Sequence, residues 1–148
     1  MNLLTKIDQD IKNAMISKDQ VRLDVLRFLK SAVKYAALDK SGTPLTDADI
    51  LQVIQKQIKQ RRESIQQFSQ SSRQDLAAKE ESEVVVLESY LPKQMSDTEL
   101  RALIEAVIRD SQASSKKDFG RVMKLCAEKL AGSADNKRVS EILGKILQ

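Results

Sequence analysis

The chain has 148 residues, 41% hydrophobic and 31% charged, with 25 Lys plus Arg against 21 Asp plus Glu and a formal net charge of +4. This is enough chain to bury a real core, as one domain or two small ones, and its mild basic bias permits an anionic partner without demanding one. It has no histidine and one cysteine, so His-centred catalytic triads, His or multi-Cys zinc sites and an intrachain disulfide are all excluded. With only four Gly and two Pro to make turns, long helices are expected.

At about 100° per residue, Leu3, Leu4, Ile7, Ile11, Ala14 and Met15 fall on one side of a first amphipathic helix. Its start mixes acids among the apolar residues and holds no unbroken apolar run, which is unlike a signal peptide or membrane span. A second helix is predicted over residues 19–38. The stretch "DKSGTPLTDAD" then turns the chain, with Thr46 as N-cap and Asp49 three places on. A third helix runs to about Phe68. "SQSSR" breaks the pattern with Ser72 as candidate cap, and a fourth helix extends to about Tyr90. Pro92 forbids continuation, and Ser96 with Glu99 forms a second capping box, so the domain junction is placed there: residues 1–92 as a four-helix domain and 93–148 as a three-helix domain. The later stripes are Leu100, Leu103, Ile104, Val107 and Ile108; Phe119, Val122, Met123, Cys126 and Ala127; and Val139, Ile142, Leu143, Ile146 and Leu147. Each has the spacing of a helix with one apolar face. Nothing alternates with strand period, so the fold class is all-α.

The run "KQIKQRRESIQQF" (56–68) carries four basic residues in seven positions. Ile50, Ile54, Ile58, Ile65 and Phe68 share an arc of roughly 80°, and Lys56, Lys59 and Arg62 spread over the far, solvated side. Arg61 projects into the apolar arc, where a guanidinium is costly without a partner. Glu80 and Glu83 leave the fourth helix on the same face as Leu76, Leu87 and Leu91, which predicts an ion-pair seam of Arg61 with Glu80 or Glu83, and Arg73 nearby. The competing reading makes the two glutamates metal ligands or an acid and base. Cys126 at helical spacing reads as core filler before nucleophile, and a lone cysteine with no membrane span suggests a cytoplasmic protein.

A second set of cations is a better candidate for binding. On the second helix, Val25, Leu29, Ala32 and Ala36 point inward, while Arg27, Lys30 and Lys34 form a column that no acid of that helix interrupts. Like charges so spaced repel by a few tenths of a kcal/mol per pair, a cost an anion on that face would offset. Residues 93–148 hold 11 Lys or Arg against 8 Asp or Glu, compared with 14 against 13 before them. There Lys116 and Lys117 precede the sixth helix, Arg121 and Lys124 sit off its apolar arc, and Lys137 and Arg138 open the seventh. Phe28, Phe68 and Phe119 are expected inward, leaving no platform for base stacking. Phosphate contact with a folded RNA is the form of recognition that remains.

The segments "VLRFLKSAVKYA", "RQDLAAKEESEVVVLESYLPKQMSDTEL", "DFGRVMK" and "GSADNKRVSEILGKIL", with the basic run above, resemble the YqeY-like proteins over nearly the whole chain. That family is related to the tail of the B subunit of glutamyl/aspartyl-tRNA amidotransferase. The resemblance implies an all-helical, non-catalytic module with a link to tRNA. The expected contacts are Arg27, Lys30, Lys34, Lys117, Arg121 and Lys124, with no cofactor, metal, membrane or DNA partner. It leaves two alternatives: an adaptor for an amidotransferase or synthetase, or a carbon–nitrogen ligase activity with glutamine as amido-N-donor, inherited as a label from the larger enzyme. An amide-forming enzyme needs a nucleophile or ammonia source and a nucleotide site, and neither is legible here. The family loop resembling Gly-Arg/Lys-Ala-Asp-Gly reads Gly132-Ser133-Ala134-Asp135-Asn136 in this chain. Asn136 is expected to replace the second glycine through its tolerance of positive φ, and Asp135 to serve the helix start.

Overall fold

The computed structural model describes residues 2–130 and 132–147. Among them are seven α-helices and one short 3-10 turn, with no strand: α1 (Leu3–Ser17), α2 (Gln20–Asp39), α3 (Asp47–Gln70), α4 (Gln74–Glu88), α5 (Asp97–Ser111), the turn Lys116–Asp118, α6 (Phe119–Leu130) and α7 (Asn136–Ile146). The chain is all-α. It divides into two compact units, Met1–Leu91 and Pro92–Gln148. No helix among the described residues is long and apolar enough to cross a membrane.

Helix starts follow local chemistry. Thr46 accepts the Asp49 N–H at 3.2 Å while Asp49 accepts the Thr46 N–H at 2.9 Å, a reciprocal box that satisfies two otherwise orphaned donors. Ser96 and Glu99 repeat it ahead of α5. Asn2, Asp19 and Asp135 cap α1, α2 and α7 by accepting N–H groups three residues on. The start of α4 differs from expectation: Arg73 holds the N-cap position with no side-chain bond, and Ser72 instead lies at φ +60°. Ser72 is taken up in ending α3, where the Arg73 N–H reaches back to Phe68 O at 2.8 Å. That six-to-one closure requires a left-handed residue just before it. Lys18 and Gln112 end α1 and α5 in the same way without glycine, at φ +59° and +58°. The expectation for Asn136 is also corrected. Asn136 is the first residue of α7, and Gly132, at φ +91°, supplies the left-handed turn earlier in the loop.

In the first unit, Ile7, Val25, Leu26, Leu29, Val33, Ile50, Ile54, Ile58, Val84, Leu87 and Tyr90 form the core. Each large aliphatic so buried contributes about 1.5–3 kcal/mol. Leu4 and Met15, expected inward, stand 39% and 52% exposed, at the edges of a stripe whose centre is Ile7 and Ala14. Tyr90 ties the end of this unit to its beginning: its hydroxyl donates to Asp10 Oδ2 at 2.5 Å, and Arg22 lies 3.6 Å from the same oxygen. Burial, then the hydrogen bond to Asp10, pushes the phenol well above its ordinary pKa and keeps it a donor. In the second unit, Leu100, Ile104, Val107, Val122, Cys126, Leu130, Ala134, Val139, Leu143 and Leu147 form a separate core.

Candidate functional site

Helix α2 presents two rows to solvent. Arg27 and Lys34 are exposed, and neither has a described carboxylate within 4 Å. Lys30, between them in sequence, lies 2.5 Å from Asp8 Oδ1 of α1. The column therefore offers two open cations with a neutralised one beside them. The acid comes from a neighbouring helix, which the periodicity of α2 alone cannot reveal.

The second row is apolar. Val21, Phe28, Tyr35 and Leu38 are 46%, 61%, 73% and 73% exposed, which corrects the inward expectation for Phe28. Three residues turn a helix by 300°, so Phe28 falls 60° beyond Val25, past the edge of the buried arc. Its ring instead stands over the Arg61 guanidinium, 5.7 Å from the carbon to the ring centroid.

Arg61 joins α3 to α4. Its Nη1 donates to Glu80 Oε2 at 3.1 Å and also to Glu83, with the three side chains 14%, 24% and 15% exposed. Arg62 reaches Glu88 one turn further along, in a more exposed pair. Arg73 is exposed and has no described carboxylate within 4 Å, so it stands outside this seam. Both glutamates turn their oxygens to a fixed positive charge, which opposes a divalent cation in the same place. Among the described residues no three or more Cys, Asp or Glu side chains gather as a metal site would require.

Gln57 lies seven residues from Ile50, on the apolar face of α3. It is the one buried polar residue among those described, 5% exposed, and its Oε1 has no hydrogen-bond partner. The spacing that identified Ile50, Ile54 and Ile58 also marks Gln57, so this signal was present in the sequence. Phe28, Gln57, Gln60, Arg61, Ser64 and Glu80 line a groove of about 320 Å³ between α2, α3 and α4.

In the second unit, Lys117 and Lys124 are exposed without a described carboxylate within 4 Å. Arg121 donates to Ser111 O and to Asp118 Oδ1, both at 3.0 Å, so it serves as a strut across the loop between α5 and α6. The Ser114 N–H, and after it Arg121, hold the Asp118 carboxyl below its ordinary pKa. Arg138 is similarly engaged, with Met95 O at 2.9 Å and Asp97 at 2.6 Å. Cys126 is fully buried, and burial pushes its thiol upward, away from the nucleophilic thiolate.

The sequence profile described as "Yqey-like protein" matches residues 4–147. Among curated relatives, proteins named "Altered inheritance of mitochondria protein 41, mitochondrial" recur. That of Lachancea thermotolerans is 30% identical over 117 residues, covering 78% of this chain and 63% of its own length. That of Pyrenophora tritici-repentis is 29% identical, covering 96% of this chain and 81% of its own. That of Kluyveromyces lactis is 32% identical, covering 80% and 68%. The chain thus spans less than two thirds of the Lachancea protein. These names correct the expectation of a cytoplasmic location, since relatives that align over most of the chain are designated mitochondrial. A lone cysteine and the lack of an apolar span cannot separate one reducing aqueous compartment from another. With the profile running through both units, the chain belongs to the YqeY-like family.

Proposed function

We propose that this protein is a non-catalytic helical module that binds tRNA or similarly structured RNA through phosphate contacts. In this reading an N-terminal four-helix domain and a C-terminal three-helix domain each contribute cations, as the resemblance to the amidotransferase tail suggests. The observation that carries it is the pair Arg27 and Lys34: both exposed and unpaired, and one heptad, roughly 10 Å, apart along α2. Lys117 and Lys124 are the corresponding open groups of the second unit. Lys30 and Arg121 drop from the set of primary contacts, because Asp8 and Asp118 already answer their charge. The names of the relatives support a mitochondrial setting for this activity.

The test is tRNA binding by gel shift or filter retention across a salt series, for the wild-type protein and for Arg27→Ala/Lys34→Ala. Affinity that falls steeply with salt, and weakens in the variant, supports the reading. No tRNA affinity even at low salt would remove it.

One observation favours a second reading, an adaptor docking to a protein such as an amidotransferase or synthetase. Tyr35 and Leu38 expose apolar surface on α2 next to the basic column, and exposed aromatic area is enriched at protein interfaces. Copurification of a protein partner from nuclease-treated extract, lost in Tyr35→Asp, would favour the adaptor over RNA.

A further inference from the structure

We propose that the groove between α2, α3 and α4 receives a single unpaired purine base of the bound RNA, stacked on Phe28 and read by the Gln57 amide; this rests on the RNA reading above. The first reason is the ring. Phe28 is 61% exposed, and its neighbour Arg61 is held in place by Glu80 and Glu83. A fixed guanidinium 5.7 Å from an exposed ring makes a planar, polarised wall of the kind on which bases stack. The second reason is Gln57, whose buried acceptor has no donor. A carboxamide sets a donor and an acceptor side by side, the pattern that matches the edge of adenine, and Gln57 is among the residues that line the groove. The Ser64 hydroxyl donates to Gln60 O at 3.2 Å, which leaves its own oxygen free to accept at the rim.

Charge separates a base from a phosphate as occupant. One arginine with two glutamates leaves the wall net negative, so a phosphate is repelled there while a neutral ring is not. The open cation Arg27 is the immediate chain neighbour of Phe28.

The experiment uses the full chain and a short RNA hairpin carrying 2-aminopurine at one loop position, alongside the same hairpin with an abasic site there. The expected result is quenching of 2-aminopurine on binding, weaker binding of the abasic hairpin, and a loss of roughly 5- to 100-fold in affinity for Phe28→Ala. Phe28→Tyr should retain binding. Gln57→Met, which keeps bulk without the amide, should erase the preference for adenine over a pyrimidine at that position while leaving the quenching. Equal affinity for the abasic hairpin, or an unaffected Phe28→Ala, overturns the base pocket while a persisting salt dependence keeps the RNA reading alive. Absence of any hairpin binding at low salt overturns both.

Discussion

Replacing Arg61 by Met keeps most of the stem that packs among the isoleucines of α3 and deletes the charge. Removing one partner of a fully buried ion pair costs about 3–5 kcal/mol, because the other partner is left uncompensated. Here the carboxylates of Glu80 and Glu83 retain 24% and 15% of their side-chain exposure, so water takes up part of the loss. The expected cost falls to about 2–3 kcal/mol. For a unit of this size that lowers the melting temperature by roughly 10–20 °C, read by far-UV circular dichroism as loss of the α1–α4 transition. Arg61→Lys should recover part of the stability, since an ammonium keeps the charge and can donate from one nitrogen to both carboxylates, but it lacks the planar guanidinium that stands against the Phe28 ring. Arg61→Met/Glu80→Gln/Glu83→Gln should recover most of it, because a seam with no charge leaves none unpaired. Wild-type melting in Arg61→Met, or a triple variant no more stable than the single, would refute the claim that this guanidinium balances the two glutamates.

Three further outcomes follow from particular residues. Gln112→Gly and Ser72→Gly each relieve a non-glycine residue at positive φ and should stabilise the fold by about 0.5–1 kcal/mol in urea denaturation, after the added chain entropy of glycine is set against the relief; destabilisation by both would show that these helix ends are not left-handed. Tyr90→Phe strips Asp10 of its hydroxyl donor and should cost about 1.5–3 kcal/mol, as for other hydrogen bonds to a charged group; an unchanged denaturation midpoint would make that bond energetically idle. Asp49 has its pKa lowered from 3.8 to about 2, first by the hydrogen bond from Lys40 and then by the Thr46 N–H. A lowered folded-state pKa means a stabilising contribution that is complete above about pH 4 and lost as pH falls toward 2. Asp49→Asn should therefore flatten the acid limb of a melting-temperature profile between those limits, and an unaltered limb would count against the Asp49 bonds to Lys40 and Thr46 as its source.

The helices were legible because their signals are local. Thr46 with Asp49, and Ser96 with Glu99, advertise helix starts within four residues, and the stripes through Leu100, Val122 and Val139 follow from 3.6-residue spacing alone. Arg61 stood out by the same logic, as a charge on an apolar arc that had to meet something. What periodicity cannot supply is the identity of a neighbour on another helix. Asp8 faces Lys30 from α1 and turns an outward cation into a fastening; Asp118 does the same to Arg121 from only three residues away, a spacing the sequence did display. Ser72 misled for a related reason. A serine before a helix reads equally well as a cap or as the left-handed close of the helix before it, and the Arg73 to Phe68 bond decides between them. Phe28 needed only its angle taken literally, since a residue 60° past the edge of the buried arc belongs outside whatever its hydropathy.

The distinction between open and fastened cations also yields a number. A net charge of +4 says little about a polyanion, because the slope of log affinity against log salt counts only the cations that displace counterions from phosphates. Arg27 and Lys34 alone would give a slope of roughly −2, and the addition of Lys117 and Lys124 roughly −3 to −4. The slope for tRNA thus reports whether one unit binds or both bind together. A slope near −2 that vanishes in Arg27→Ala/Lys34→Ala would confine binding to α2; one near −4 that falls by half in that variant, and equally by half in the separate Lys117→Ala/Lys124→Ala variant, would require both units on one RNA. A slope that falls equally when the fastened Lys30 is replaced would contradict the reasoning, since a lysine already held by Asp8 has little charge left to release.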